Sequence, residues 1–381
     1  MKLPYFCTFL IFQAVVISSV SAQFITQLCF QKWFDFHNPV GNESTTTCSR
    51  NLSLYEEAAH AFPQPDYTQG LCYNHMNCLL DAVGPAAQSA FGSSLVLLGL
   101  TPAILAGVGL TVAEIAYIAV HRPGLSFLLS MGSPVVFSNR VMTYSDPEHA
   151  WQNTGSSRLV LNGMNPRFGV AISVLQYILA IGSVANIFTL VIEISARSIL
   201  TFDCVDFYKL IVWAVIPIFI HIIGTVPYLM GSERLGSLYA SPWLRSDQIT
   251  HIQDAQLEYR KGNASNLNES SLQIPFARFL WKMKRYVIKE MTICACRPPV
   301  SLSSNTKVPL WCVFLNITAS LPGLIHLIFG TLVLSFVYFI RIELAIYCIT
   351  RFILSAVVCR LILVVEFAGV RGDTIDDKST I

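Results

Sequence analysis

The uncharged run from Phe91 to Ala113 constrains the fold of this chain more than any other feature. An α-helix rises about 1.5 Å per residue and needs about 20 apolar residues to cover the hydrocarbon of a bilayer, so the run predicts a membrane-crossing helix. Charged residues make up 13% of the chain, against roughly 25% in soluble domains. Both observations predict a membrane protein, and a net charge of +2 gives no reason to expect a nucleic-acid partner.

The residues after this run predict a broken segment, residues 111–138. Thr111 and Glu114 have the spacing of a capping box, which predicts the start of a new helix. Pro123 predicts a second break. Residues 125–137 are apolar but too short to cross a bilayer, so we expect an interfacial or re-entrant segment there. If the broken segment instead crossed fully, the chain would have six spans rather than five.

The N-terminal part has the features of a secreted segment. Residues 1–22 combine an early lysine, a short apolar core and small residues before a cleavage site, which predicts a signal peptide; an uncleaved first span is the alternative. Residues 23–90 would then lie outside the cytosol, where Asn42 and Asn51 begin glycosylation sequons. Such a segment either caps the spans or binds a ligand. Four cysteines predict two disulfides there, with three pairings open: Cys29, Cys48, Cys72 and Cys78.

Four further apolar stretches predict the remaining spans: residues 169–192, 210–230, 310–340 and 344–365. The fourth predicted span starts at Pro309 or Pro322, because the apolar run is longer than one crossing requires. The predicted fold is therefore an all-α polytopic bundle of about five spans with a small N-terminal ectodomain. Spans 1–3 fall in residues 91–230 and spans 4–5 in residues 308–368.

A polar connection, residues 231–307, contains a predicted amphipathic helix at residues 275–291. On a helical wheel its apolar side chains fall within about 60° of one direction and its basic side chains on the opposite face. Such a helix binds the anionic leaflet of a membrane, and packing against the floor of the bundle is the alternative. The basic face consists of Arg278, Lys282, Arg285 and Lys289.

The distribution of Lys and Arg predicts which side each connection faces. Basic residues concentrate in the segments that a five-span arrangement places in the cytosol, including residues 231–307 and the tail, residues 369–381. Sequons at Asn263 and Asn268 oppose this orientation, because glycosylation occurs on the other side of the membrane. We expect a multi-pass protein of the secretory pathway or plasma membrane, in contact with the lipid bilayer.

Ionisable side chains within the predicted spans are candidates for function, because charge is costly in a bilayer. Arg351 and Arg360 are nine residues apart and lie on opposite faces of one helix, so we expect them to snorkel or to pair with a glutamate unless they contact a substrate. For His326 a hydrogen-bonded structural role is the simpler expectation. The four selected candidates are Glu114, His326, Arg351 and Arg360.

Three pieces of the membrane part are similar to an uncharacterised family of fungal multi-pass integral membrane proteins. They are residues 96–105, Arg122-Pro123 leading to residues 132–134, and residues 326–336 followed by Arg351 and residues 358–360. The resemblance covers residues 78–371 and implies topology but no activity. Relatives often carry two adjacent arginines before the proline, where this chain has His121-Arg122.

No catalytic motif of a metalloprotease, serine hydrolase, P-loop or dithiol oxidoreductase is present in the sequence, and we expect no cofactor or metal. The leading hypothesis is a non-enzymatic sensor, partner-binding or membrane-organising protein, with a protein partner at the ectodomain or the cytosolic loop. The alternative is a transporter or channel-like protein that uses the broken segment after Gly107 together with intramembrane Arg351 and Glu114.

Overall fold

The computed structural model of this chain describes Phe30, Trp33 and residues 39–61, 65–137, 166–201, 208–236, 286–287, 290–293 and 310–367. The predicted signal peptide, the tail and most of the loop, including all four residues of its basic face, lie outside the described residues. Cys29, Asn263 and Asn268 lie outside them as well. The predictions at these positions stay predictions.

The described residues are mostly helical, as predicted. The helices are, in chain order, α1 (Pro39–Thr45), α2 (Ser49–Ala61), α3 (Pro65–Val108), α4 (Val112–His121), α5 (Pro123–Gly132), α6 (Pro166–Arg197), α7 (Lys209–Gly236), α8 (Leu310–Ser335) and α9 (Ile342–Phe367). Two short strand pairs join distant parts of the chain: β1 (Leu110–Thr111) runs parallel to β2 (Val136–Phe137), and β3 (Ile199–Leu200) runs antiparallel to β4 (Val337–Tyr338).

Three helices are long and apolar enough to cross a membrane: Tyr67–Val108 within α3, Phe168–Arg197 within α6, and all of α9. Shorter apolar stretches occur in α7 and α8, at Lys209–Thr225 and Leu321–Ser335. The helix α8 begins at Leu310 and contains Pro322, so both predicted starts of the fourth span stay open.

The first half of the helix α6 has a buried side of small and polar residues and an exposed side of large apolar residues, the reverse of a helix in a water-soluble protein. Its buried side carries small and polar residues, among them Ser173, Gln176, Ala180 and Ser183. Its exposed side carries large apolar residues, among them Phe168, Leu175, Ile178 and Ile181. This distribution is typical of helices whose surroundings are lipid, because polar groups there face the protein interior.

The predicted breaks occur where the sequence places them. Glu114 accepts the Thr111 backbone N–H at 2.9 Å, and the Glu114 N–H donates to the Thr111 hydroxyl at 3.2 Å, so the predicted capping box is present at the start of α4. Pro123 occupies the first turn of α5 directly after the break at Arg122. A further break interrupts α3 at Gly84, whose φ of 76° is accessible to glycine at little cost.

The chain divides into two compact units. The first unit comprises residues 1–101, 189–212 and 330–349. Its core is aromatic and aliphatic and includes Phe30, Tyr55, Phe91 and Phe339. A disulfide joins Cys48 to Cys78 beside this core. Cys72 is disulfide-bonded as well.

The second unit comprises residues 102–188, 213–329 and 350–381. It contains the helical hairpin α4–α5, whose two ends are joined by the β1–β2 pairing. Leu110, Ile118 and Leu129 of this region pack with Ile362 and Leu363 of α9 in an apolar cluster. The second unit also holds the buried charges described next.

Candidate functional site

Arg122 lies at the tip of the α4–α5 hairpin, and its side chain is completely buried. Its Nη1 forms an ion pair with Glu366 of α9 and donates to the Gln176 side-chain oxygen at 2.7 Å. Its Nη2 donates to the Ser173 hydroxyl on α6, and its Nε donates to the Glu290 backbone carbonyl at 2.7 Å. Every nitrogen of the guanidinium group therefore has an acceptor, which a buried charge requires.

The break between α4 and α5 positions this side chain. The Arg122 backbone N–H still donates to the Ile118 carbonyl, and its carbonyl accepts the Ser126 N–H at 3.0 Å. Pro123 has no N–H and suits the first position of α5. The chain can therefore turn at Arg122 without leaving its own backbone groups unpaired.

Glu290 belongs to a short described stretch, residues 290–293, called here the Glu290 segment. Its carboxylate Oε1 accepts the Leu125 backbone N–H at 3.0 Å and also the Tyr177 hydroxyl. A Cβ added at Gly124 would lie 2.9 Å from this oxygen, so a side chain at this position would displace the Glu290 carboxylate. Within the described part of the chain, no donor reaches the other carboxylate oxygen, Oε2, and no acceptor reaches the Gln176 amide nitrogen, although both are buried.

The Glu290 segment also contacts α6 through Met291, whose sulfur lies 3.8 Å from the Ser173 hydroxyl. Four residues before Glu290 in the sequence, the pKa of the Tyr286 hydroxyl is raised, first by burial and second by the Glu290 carboxylate. Ser173 contacts both Arg122 and Met291, so the same part of α6 holds the hairpin tip and the Glu290 segment.

Glu114 and Arg360 form a second ion pair in this unit. The Arg360 Nη1 donates to both carboxylate oxygens of Glu114, at 2.8 and 2.7 Å. The Glu114 side chain is buried, whereas the Arg360 side chain is 32% exposed. Pairing with a glutamate was one of the expectations for Arg360.

Arg351 binds Asn186 through its side chain. Its Nε donates to the Asn186 side-chain oxygen at 2.7 Å, and its Nη2 donates to the Asn186 backbone carbonyl at 3.2 Å. The Asn186 amide nitrogen donates back to the Arg351 carbonyl and to the Ser355 hydroxyl. Glu114 and Arg351, which the transporter hypothesis combined, thus have different partners in this structure.

His326 contacts Trp213 in two ways. The His326 Nε2 lies 2.8 Å from the Trp213 backbone carbonyl, and the two rings stack with centroids 5.8 Å apart. This hydrogen bond is the structural role expected for His326. Within the described ranges, no three His, Cys, Asp or Glu side chains are placed to hold a metal ion.

The two predicted glycosylation sites lie on short helices of the first unit. Asn42 is exposed on α1. Asn51 is half-buried on α2, and its amide nitrogen lies 3.4 Å from the Asn74 carbonyl. The attachment of sugar at these positions stays a prediction.

Sequence reasoning missed the central group of this site. Sequence analysis used Arg122 at a helix break and in the family resemblance but not as a candidate site residue, and it did not single out Ser173, Gln176 or Glu290. A usable signal exists for two of them, because Ser173 and Gln176 are polar residues three apart on a largely apolar helix and must share a face. Glu290 carries no comparable signal.

No protein-family model, no curated protein and no solved structure matches this chain. What can be stated of its class comes from the fold and the site. It is a mostly helical protein with helices able to cross a membrane, and it holds a fully buried arginine–glutamate pair. The resemblance to fungal multi-pass proteins stays a prediction.

Proposed function

We propose that this chain is a multi-pass membrane protein of the secretory pathway or plasma membrane that binds partners rather than catalysing a reaction. It acts as a sensor, partner-binding or membrane-organising protein. The observation that carries the proposal is the attachment of the Glu290 segment to the buried Arg122. Through this contact, a displacement of the loop that contains Glu290 would alter the packing of the helices.

A bilayer as the surroundings of the helices is supported by the distribution of exposed apolar side chains. Large apolar residues are exposed on α3, α6, α7, α8 and α9, where water would oppose them and lipid would not. The five proposed spans are the part of α3 after Gly84, followed by α6, α7, α8 and α9. The α4–α5 hairpin is then the re-entrant segment, since each of its helices has only 10 residues.

The attachment of the Glu290 segment supports a role for the loop in signalling or partner binding. Glu290 uses both its backbone carbonyl and its carboxylate, so the segment is fixed in position and orientation. It forms the end of the predicted amphipathic helix, residues 275–291. A partner that binds this helix and displaces it would therefore change the contacts of Arg122 and, through the ion pair, those of Glu366 on α9.

Proximity labelling in cells tests this proposal. A labelling enzyme fused to the C-terminus of the full-length chain would be compared in the wild type and in Glu290→Ala, with Glu343→Ala as the matched control because that glutamate is exposed. We expect a set of labelled proteins whose amount falls at least about threefold in Glu290→Ala and stays unchanged in the control. A wild-type set identical to that of an unrelated membrane protein would refute partner binding.

The topology is tested by replacing the sequon asparagines with glutamine, one at a time, and measuring gel shifts after deglycosylation. We expect shifts from Asn42 and Asn51 only. A shift from Asn263 or Asn268 would place the loop outside the cytosol and would overturn the five-span arrangement.

A transporter is the second candidate, and the α4–α5 hairpin favours it, since broken helices often surround substrate sites in transporters. Two contacts weigh against it, because Glu114 forms an ion pair with Arg360 and Arg351 forms hydrogen bonds with Asn186. Uptake assays with Arg351→Gln test this candidate. If Arg351→Gln leaves the uptake of every solute that the wild-type chain transports unchanged, Arg351 has no part in transport.

A further inference from the structure

We propose that the helices α7 and α8 enclose a binding site for internal water, formed by the side chains of Trp213, His221 and His326. All three side chains are buried, and all three lie in the second unit. None of them takes part in the contacts of Arg122 and Glu290, so this site is independent of the proposed function. Water bound there supplies hydrogen bonds that the apolar neighbours of these rings cannot supply.

One face of α7 carries the first two of these side chains. The members of this face follow one another at intervals of four residues and are Trp213, Pro217, His221 and Thr225. Residues at this spacing lie along one side of a helix, and all four are buried. The opposite side of α7 is apolar and exposed, as at Phe219 and Ile223. The side with Trp213 and His221 therefore faces the interior of the second unit.

The missing N–H of Pro217 explains why His326 binds the backbone of α7. Within a helix, the Trp213 carbonyl would accept from the residue four positions later, and that residue is the proline. The His326 Nε2 lies 2.8 Å from this carbonyl oxygen. Because a carbonyl oxygen can only accept, Nε2 is the donor, and in the neutral ring Nδ1 is then an acceptor. The geometry thus assigns a free lone pair to His326 Nδ1.

Four ring nitrogens of this group are buried and have no hydrogen-bond partner among the described residues. They are Trp213 Nε1, both ring nitrogens of His221, and His326 Nδ1. The Trp213 and His326 rings stack with centroids 5.8 Å apart, and the two imidazoles are close enough to interact electrostatically. A buried polar group without a partner is costly. Four of them on neighbouring rings indicate that a bound molecule pairs with them.

The mixture of donors and acceptors identifies this molecule. The Trp213 N–H requires an acceptor, His326 Nδ1 requires a donor, and a neutral His221 requires one of each. An anion would leave the imidazole lone pairs unpaired, and a metal ion would leave the indole N–H unpaired. Water both donates and accepts, and it is small enough for a closely packed interior. Ordered water is also one of the usual partners where a proline interrupts a membrane helix.

A pair of substitutions at His221 tests the site through stability. Leucine and glutamine are similar in size, but only glutamine can donate to water and accept from it. The equilibrium constant of unfolding should be at least about tenfold larger for His221→Leu than for His221→Gln, because leucine leaves the other groups of the site unpaired. Without water the order reverses, since a buried amide without a partner is the costlier side chain, and that order would refute the site. Circular dichroism of the full-length chain in detergent measures both constants.

Ile220 provides the matched control on the same helix. It is buried, apolar and adjacent to His221 in sequence. Ile220→Leu should be nearly neutral, whereas Ile220→Gln should raise the equilibrium constant of unfolding at least about tenfold. Opposite preferences at two neighbouring positions would show that the preference for glutamine belongs to the site. The same preference at both positions would count against bound water.

X-ray radiolytic labelling detects the water directly. The radiation converts water into hydroxyl radicals that oxidise the side chains beside it, so a buried side chain is labelled when water is bound next to it. Mass spectrometry of the full-length chain in detergent should find oxidised Trp213, and His221→Leu should remove that label. Phe91 is buried in the apolar core of the first unit and should stay unlabelled in both chains. An unlabelled Trp213 in the wild-type chain, or a label that persists in His221→Leu, would refute the proposed site.

Discussion

The two units of this protein differ in what they bury beside their apolar cores. The first unit holds a disulfide between Cys48 and Cys78 and an aromatic core in which Phe339 contacts Trp33 and Phe91 edge to face. The second unit buries charged residues in ion pairs: Arg122 with Glu366 and Arg360 with Glu114. A disulfide accompanies the apolar packing of the first interior, whereas buried ion pairs accompany the apolar cluster of the second.

This difference shows how the solvent around a helix determines which of its side chains are buried. In water, apolar side chains gain free energy by leaving the solvent, which favours a core such as that of the first unit. In lipid they gain almost nothing, and polar groups are forced inward to find partners. The second unit has the pattern expected for lipid along the first half of α6, where Ser173 and Gln176 are buried while Ile178 and Ile181 are exposed.

The largest expected effect comes from removing one partner of the fully buried pair. Glu366→Ala leaves the Arg122 charge without its carboxylate and should lower the free energy of unfolding by about 3–5 kcal/mol. Unfolding in detergent micelles, followed by circular dichroism, measures this change. Replacing both partners with leucine should recover most of the loss, since no unpaired charge then remains. A double variant as unstable as Glu366→Ala would show that the pair itself supplies net stability.

Sequence rules predicted the local structure of the second unit well and its central contacts poorly. The capping box at Thr111 and Glu114 and the break before Pro123 follow from residues close together in the chain, and both are present. The partners of Arg122 are 51 to 244 residues away in sequence, and no local pattern predicts which of them it meets. The charges in the spans could be predicted as candidates, but their pairing could not.

The disulfide gives the largest expected effect in the first unit. Replacing Cys48 and Cys78 with alanine removes a bond between residues 30 positions apart, which should cost about 3–4 kcal/mol by the chain-entropy account. Hydrogen exchange read by mass spectrometry should show faster exchange in α1 and α2 and unchanged exchange in the α4–α5 hairpin. Equal acceleration in the hairpin would mean that the two units do not unfold separately.

Close packing within the first unit gives a smaller expected effect. A Cβ added at Gly99 would lie 2.1 Å from the Ser335 hydroxyl, so Gly99→Ala should cost about 1–3 kcal/mol through overpacking. Gly92→Ala on the same helix is the control, because nothing lies within 4 Å of its added Cβ. The control should be neutral or slightly stabilising, and Ser335→Gly should rescue Gly99→Ala. A destabilised control would point to helix propensity or lipid contact instead of packing.

The partly exposed ion pair between Arg360 and Glu114 gives the smallest expected effect. It also tests most directly whether burial determines how strongly an ion pair is coupled. Arg360→Met removes a partner of Glu114, but Glu114 keeps its hydrogen bond from the Thr111 N–H, so we expect a loss of about 1.5 kcal/mol. In Glu114→Gln, Arg360 loses its carboxylate partner. Water can then solvate the Arg360 charge, because this side chain is 32% exposed. A double-mutant cycle over both pairs isolates each coupling free energy. If burial determines how strongly these pairs are coupled, the cycle for Arg122 and Glu366 must give the larger value, and the opposite order would mean that geometry alone sets the strength.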